Sequence, residues 1–269
     1  MSWIGVESPA YWSMFVMAFL GVAVWESFAP SMRLSRAPGR RWSAHGIALL
    51  LGTVFSSACL RLTPVLASVA VAGSSWGLLN RPWIPFWIRA GGAFLLLDLL
   101  KYSLHRLQHS VSWLWRIHQV HHSDPDFDVS TGVRAHPLEF LMIQGGTLGL
   151  IALLAPPPGA VLAAEVCACF FSFFEHANAS LPQGWDKLVR ACLVTPDVHR
   201  IHHSERDQEQ FRNLGEIFTW WDRLFGTYQD QPVAGKDKFT VGLRGYQDAS
   251  SVRITSMLAH PFRASRDVR

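Results

Sequence analysis

The chain has 269 residues, of which 49% are hydrophobic and 16% are charged, and its formal net charge is +4. Soluble domains usually carry about 25% charged residues, so this composition argues against a soluble domain and favours a membrane protein. The basic residues lie beside apolar segments rather than on one polar surface, which argues against nucleic-acid binding. The four cysteines form no CxxC pair, so small apolar core positions are the simplest role for them.

Apolar segments recur through the first two thirds of the chain. Those with about the length of a membrane-spanning helix are residues 11–28, 47–72, 85–104, 138–155 and 160–174. A Pro-Pro-Pro-Gly sequence separates the last two, so we expect a helical hairpin there. The predicted fold is therefore all-α. It is an integral-membrane helical bundle of about four to five spans with a cytoplasmic, histidine-rich helical metal domain.

The distribution of charge predicts how the spans are oriented. The loop after the first span contains Arg33, Arg36, Arg40 and Arg41, and loops rich in arginine tend to remain in the cytoplasm. The N-terminus is then outside, and counting the spans places residues 105–136 and everything after the helical hairpin in the cytoplasm. All histidine-rich segments are therefore expected on the cytoplasmic face of an inner or cell membrane.

Eight of the twelve histidines fall into three short clusters. The clusters are His105 with His109, His118 with His121 and His122, and His199 with His202 and His203. Residues three and four apart share one face of a helix, so the ring nitrogens within each cluster can converge. A single HxxxH pair arises by chance fairly often. Three clusters beside predicted spans, however, predict a metal site.

The number of histidines limits the choice of metal. Imidazole binds zinc, iron, copper and nickel alike, so spacing alone does not select iron over zinc. Eight histidines are too many for one tetrahedral zinc ion, which takes four ligands. They suffice for two metal ions with open positions for oxygen.

Two other classes of membrane protein are alternatives. A zinc-dependent hydrolase would need a glutamate directly after the first histidine, as in HExxH, but Arg106 and Gln119 occupy those positions. A metal transporter would place its histidines within the spans. In this sequence the clusters lie outside the apolar runs.

The motifs resemble those of the fatty acid hydroxylase/sterol desaturase superfamily of membrane-bound, histidine-box diiron oxygenases. The resemblance rests on DLLKYSLHRLQH at 98–109, HQVHH at 118–122, AHPLE at 135–139, HRIHH at 199–203 and FTWWDRLFGT at 218–227. It implies two iron ions that activate O2 to hydroxylate or desaturate a lipid, either a fatty acyl chain, a sterol or a related molecule. It also implies an external electron donor, such as a ferredoxin or a cytochrome b5-like protein.

Further ligands follow from the resemblance. Family members with more ligands carry a histidine just after the hairpin, which implies that role for His176. Some relatives have another histidine four residues earlier, where this chain has Ser172. His136 is the candidate to complete the set, and the alternative is a structural N–H donor beside Pro137.

Supporting residues are predicted from helix geometry. Asp98 shares a helix face with Tyr102 and His105, so its carboxylate is expected to accept a ring N–H from a metal ligand. The alternative is a simple interfacial charge. Weaker candidates for the same role are Glu139, Glu175, Asp197 and Asn213. Asp222 and Arg223 are expected to pair with each other, and the isolated His45 and His260 are expected not to bind metal.

The motifs also suggest how the chain is divided. Residues 1–84 are expected to hold N-terminal spans and loops, and residues 85–230 a catalytic domain like that of the superfamily. Residues 231–269 are then a C-terminal cytoplasmic tail.

Overall fold

A computed structural model describes residues 4–235, 239–248 and 250–263. Over these residues the chain is helical, and only two isolated β-bridges occur. The predicted all-α class is therefore confirmed. The helices are α1 (Ile4–Phe28), α2 (Pro38–Leu60), α3 (Pro64–Val71), α4 (Phe86–Ser110), α5 (Ser112–His122), α6 (Pro137–Leu154), α7 (Pro158–Glu175), α8 (Gln183–Val189), α9 (Pro196–His202), α10 (Asp207–Gln210), α11 (Trp220–Leu224) and α12 (Ile254–Ala259).

Prolines determine where several helices begin. Proline occupies the first turn of α2, α3, α6, α7 and α9. Its missing N–H is harmless there because the first turn has no intrahelical acceptor for that group. Between α6 and α7, Ala155 adopts a left-handed conformation with φ of 45°, and the following prolines prevent α6 from continuing. The hairpin expected from the Pro-Pro-Pro-Gly sequence is thus formed.

Four described stretches are long and apolar enough to cross a membrane. They are Pro9–Phe28, Pro38–Val71, Pro137–Leu154 and Pro158–Glu175. Large apolar side chains on their outer surfaces, such as Met17, Leu50 and Val54, are more than half exposed. Contiguous apolar surface of this kind is favourable against lipid and not against water. The chain is therefore an integral membrane protein, with a number of spans in the predicted range.

Helix α4 differs from the expectation for the third span. It has 25 residues, enough to cross a bilayer, but it is not among the four apolar stretches. Its sequence contains Arg89, Asp98 and Lys101, and these charges lower its mean hydropathy. The helix packs against α5, α6 and α7. Asp98 and Lys101 therefore have protein, rather than lipid, as neighbours.

The long helices run between two ends of the bundle. At one end, where α6 turns into α7, the N–H of Leu79 donates to the carbonyl of Leu154, and Gly92 of α4 lies beside Leu79. At the other end, where α7 stops, the carbonyl of Asn178 accepts a hydrogen bond from the N–H of Ser31, just after α1. We call this second end the histidine end, because the last turn of α4 and the whole of α5 lie there.

Aromatic and aliphatic clusters hold the helices together. Phe15 and Phe19 of α1 both make edge-to-face contacts with Phe173 of α7, with ring centroids 5.0 and 5.6 Å apart. A second cluster joins Val65 of α3, Leu97 of α4 and other residues of α6 and α7. The bundle therefore fixes where the ends of α4 and α7 lie relative to each other.

Candidate metal centre

Nine histidines converge at the histidine end, in two neighbouring groups. The first group contains His105, His109, His118, His122 and His202. The second group contains His121, His176, His199 and His203. Within each group, the candidate ligand nitrogens all lie within 4.8 Å of one another. The groups adjoin, since the ring centroids of His122 and His203 are 4.5 Å apart.

Each HxxHH cluster is divided between the two groups. His118 and His122 on α5 belong to the first group, whereas His121 belongs to the second. On α9 the arrangement is reversed, with His199 and His203 in the second group and His202 in the first. The sequence suggested that all three rings of each cluster converge. Residues four apart do so, but the residue between them is rotated toward the neighbouring group.

Hydrogen bonds determine which ring nitrogen carries the proton in four of these histidines. Their Nδ1 atoms lie 2.7–3.0 Å from backbone carbonyl oxygens: His105 from Leu214, His121 from Arg134, His176 from Ser172, and His202 from Arg212. A carbonyl oxygen can only accept, so each Nδ1 carries the proton. Each Nε2 is then left with a free lone pair, which is the form that binds a metal ion.

The Nε2 atoms fit metal ions. In the first group, the Nε2 atoms of His105, His118 and His202 are buried without a hydrogen-bond partner. In the second group, the Nε2 atom of His176 lies 3.2 Å from that of His121. Both rings carry their proton on Nδ1, so two lone pairs face each other. A cation between the rings relieves this repulsion, and a pair of metal ions satisfies both groups.

Burial keeps the imidazoles neutral. It lowers the pKa of His176 to about 4. For His121, His122, His199, His202 and His203, burial first and neighbouring histidines second lower the pKa well below its ordinary value. A metal ion binds only the unprotonated nitrogen, so these rings are ready to bind without first losing a proton.

Glu139 supports one ring by a hydrogen bond, and Glu175 lies close to two others. Nδ1 of His118 donates to Oε1 of Glu139 over 2.6 Å, and Gln108 donates to the same oxygen. Glu175 lies 3.7 Å from Nδ1 of both His176 and His199. Both glutamates were predicted from the sequence only as weaker candidates for supporting a ligand. Their placement at the ends of α6 and α7 brings them against the histidines.

The loop at residues 212–215 positions two rings of the first group, because it supplies the carbonyls that His105 and His202 use. Asp222 holds this loop: its carboxylate accepts hydrogen bonds from the N–H groups of Leu214 and Gly215 at 2.8 and 2.9 Å. The FTWWDRLFGT motif thus acts on the metal centre through Asp222. Arg223 still interacts electrostatically with Asp222, as expected, but its guanidinium lies over the ring of Tyr228 and donates to the carbonyl of Arg190.

Arg134 contributes to the second group, although the sequence did not single it out. Its carbonyl accepts the hydrogen bond of His121, and its fully buried guanidinium donates to the carbonyl of Val120 at 2.7 Å and to that of Ser251 at 2.8 Å. These bonds connect the last turn of α5 to the backbone at Ser251. The only sequence signal is a charged residue directly before the AHPLE motif.

Two proposed site residues lie elsewhere. Nδ1 of His136 caps α6 by accepting from the N–H of Leu138, and its Nε2 donates to the carbonyl of Leu258, so it is in neither histidine group. Asp98 accepts hydrogen bonds from Trp221 Nε1 and from the N–H of Ile217 at 2.7 and 3.2 Å, and not from a histidine ring. Asp98 lies seven residues before His105 on α4, about 10 Å away along the helix axis. This distance explains why its carboxylate does not reach the ring that the sequence predicted as its partner.

The isolated histidines have other contacts. His45 is fully buried, where its Nδ1 contacts Ser130 and its Nε2 accepts from Arg134 at 2.9 Å. His260 stacks on Tyr246 with 4.5 Å between ring centroids. Neither belongs to a histidine group.

A cavity of about 580 Å³ leads from the membrane-spanning helices to the histidines. Its wall includes His105 and His118 of the first group and His121, His176 and His199 of the second. The remaining wall is mostly apolar and comes from α1, α2, α3, α4, α6 and α7. A single ligand in this cavity therefore has access to both groups.

Comparisons with known proteins agree with these features. Residues 91–227 match the protein family described as fatty acid hydroxylase. The chain is 30% identical over 179 residues to alkylglycerol monooxygenase of Homo sapiens, covering 66% of this chain and 38% of that protein. No solved structure gives a significant match.

Two further relatives act on other lipids according to their names. Ornithine lipid hydroxylase OlsE of Rhizobium tropici is 33% identical over 193 residues, covering 70% of this chain and 57% of that protein. Methylsterol monooxygenase 1 of Gallus gallus is 30% identical over 159 residues, covering 58% of this chain and 51% of that protein. The chain therefore spans less than two thirds of the length of each of these relatives.

Proposed function

The chain belongs to the fatty acid hydroxylase family, and we propose that it is a membrane-bound diiron oxygenase that oxidises a lipid with O2. The observation that carries this proposal is the position of the cavity. It begins among apolar helices that face lipid and ends at two groups of neutral histidines. A lipid that enters sideways from the bilayer reaches this site without crossing water.

The ligands in this proposal are the nine converging histidines. When bound, two iron ions supply the power to oxidise an unactivated C–H bond, which no side chain has. The protein holds the rings in one tautomer through the backbone carbonyls and Glu139. It also excludes water on the side away from the cavity. Phe127 covers His203 and Trp115 covers His122, with ring centroids 5.1 and 5.5 Å apart.

The names of the relatives favour hydroxylation over desaturation, because they are called monooxygenases or hydroxylases. Their substrates differ, so the substrate class is a lipid without further restriction at this stage. We also propose that an external carrier, a ferredoxin or a cytochrome b5-like protein, delivers the electrons. The arginines at 33–41 favour a cytoplasmic position for the histidine end, and such carriers are found in the cytoplasm.

The test uses the full chain, expressed in its host and purified from membranes. We expect one iron ion for each of the two histidine groups. Lipid extracts from cells with and without the gene should differ by products that have gained one oxygen atom, or lost two hydrogen atoms if the reaction is a desaturation. A His199→Ala variant, checked for membrane insertion, is the negative control for lost chemistry.

Two results would overturn the proposal. The first is tightly bound zinc with full activity and no requirement for iron. The second is an unchanged lipid profile under aerobic conditions with an iron-loaded, correctly inserted protein and a reducing system.

A further inference from the structure

A charged pair lies inside the membrane-spanning part of the bundle. Glu165 is in the middle of the span Pro158–Glu175, and its Oε1 lies 3.5 Å from Nζ of Lys101 on α4. Both side chains line the cavity that leads to the histidines. Ionisable residues within a span are costly to bury and commonly mark a site for substrate or ions.

The pair is not complete by itself. A well-formed ammonium–carboxylate hydrogen bond is about 2.7–2.9 Å long, which is shorter than the contact between Lys101 and Glu165. Oε1 of Glu165 is buried and has no hydrogen-bond partner. By contrast, Arg41 contacts Asp124 at 2.8 Å and Asp128 at 2.6 Å in a closed structural network. Arg41 thus makes direct ion pairs, whereas the contact between Lys101 and Glu165 is longer than a direct ion pair.

A second carboxylate adds to the imbalance. Glu216 lines the same cavity and interacts electrostatically with Lys101. One ammonium group thus interacts electrostatically with two buried carboxyl groups. A ligand that brings a hydroxyl or an ammonium group supplies a donor for Oε1 of Glu165.

The position of the pair relates it to the metal centre. Lys101 and His105 are four residues apart on α4, so they share a helix face and are separated by about 6 Å along the axis. A polar group held at Lys101 and Glu165 is therefore about one helical turn from the histidines.

We propose that Lys101, Glu165 and Glu216 form a subsite for a hydrogen-bond-donating polar group of the lipid substrate. The subsite binds a hydroxyl or ammonium group and thereby presents a carbon near that group to the histidines, rather than a carbon far along an alkyl chain. This proposal rests on the proposed function, which it narrows to lipids that carry such a group near the oxidised carbon.

The test is photolabelling of the full chain in lipid nanodiscs, with C16 probes that carry a diazirine beside the polar end. The probes are hexadecanol, hexadecylammonium, methyl hexadecyl ether and hexadecane. Loss of a hydrogen bond to a charged group weakens binding about tenfold. We therefore expect the first two probes to label cavity peptides about tenfold more than the last two. Labelling of the outer face of α1 should not depend on the polar end.

Variants identify the residues responsible. Glu165→Met removes the accepting oxygens, so it should reduce cavity labelling by the alcohol and ammonium probes to the level of the ether, while iron content stays unchanged. Lys187→Met is the matched control, because Lys187 is exposed on α8. It should label like the wild-type protein.

Equal cavity labelling by all four probes in the wild-type protein overturns the subsite, even if the variants fold poorly. Unchanged labelling by the polar probes in well-folded Glu165→Met also overturns it. These outcomes are separate from a failure of the proposed function, because labelling requires neither O2 nor electrons. A protein without iron or lipid oxidation that still shows the expected labelling pattern would contradict only the oxygenase proposal.

Discussion

Nδ1 of His118 donates a hydrogen bond to Oε1 of Glu139, with 2.6 Å between the two atoms. The bond joins α5 to the first turn of α6 and crosses the edge of the first histidine group. It fixes the orientation of the His118 ring and leaves Nε2 directed into the group. A carboxylate that accepts from a ligand's ring N–H also makes that ligand more basic.

Removal of the Glu139 carboxylate is therefore expected to weaken metal binding. Glu139→Ala should lower metal affinity by about 10–100-fold, the usual effect of losing such a partner. Glu139→Gln should have a smaller effect, because its amide oxygen can still accept from Nδ1. Titration with a competing chelator measures both, and Asp207→Asn on the exposed surface is the control. Equal affinity in Glu139→Ala and wild type would show that the ring is held by other contacts.

Asp222 is expected to act selectively on the first histidine group. Asp222→Ala removes the acceptor for the N–H groups of Leu214 and Gly215, so the loop that orients His105 and His202 should loosen. Metal analysis of the purified variant should show a greater loss from the first group than from the second. A spectrum of the metal that remains bound shows which of the two histidine groups holds it. Equal loss from both groups, or none, contradicts this assignment.

The histidine variants should separate ligands from structural residues. His176→Ala should abolish activity and lose metal from the second group, because its Nε2 lies 3.1–3.2 Å from those of His121, His199 and His203. His45→Ala should keep its metal. It should nevertheless be destabilised by about 1–3 kcal/mol, since it leaves buried partners unpaired. Metal content and thermal unfolding in detergent, measured together, test both expectations.

The effect of Asp98→Asn is expected to be on stability. The sequence placed this carboxylate against a ligand, which would make metal affinity fall. The hydrogen bonds to Trp221 and Ile217 predict instead a lower midpoint of thermal unfolding with nearly unchanged metal content. A large drop in iron without a change in unfolding would restore the original assignment.

Topology is tested by reporter fusions. The contacts at the two ends of the bundle put Gly77 beside Ala155 and Phe262 beside His136, at opposite ends, so reporters fused at Gly77 and at Phe262 should lie on opposite sides of the membrane. The arginines at 33–41 predict that the second reporter is cytoplasmic. Reporters on the same side would mean that α4 does not cross.

Much of the fold follows from local patterns in the sequence. Apolar runs of membrane length, prolines at helix starts and the i, i+3, i+4 spacing of histidines all depend on neighbours within a few residues. The partners of the metal centre do not. His105 uses the carbonyl of Leu214, 109 residues away, and that contact depends on the path of a loop. The hydrogen-bond partners of Asp98 are also distant in sequence: Ile217 is 119 residues away and Trp221 is 123 residues away.

Backbone carbonyls, rather than side chains, orient four of the nine rings, and this affects which residues near the metal centre can be replaced during evolution. Substitution of Ser172, Arg212 or Leu214 changes the side chain but keeps the carbonyl that the histidine uses. These positions can therefore vary widely without changing the tautomer of a ligand. Insertions, deletions or prolines beside them move the carbonyl itself. Divergent members of such a lineage should tolerate replacements that keep Leu214 packed in the core, but few changes in loop length.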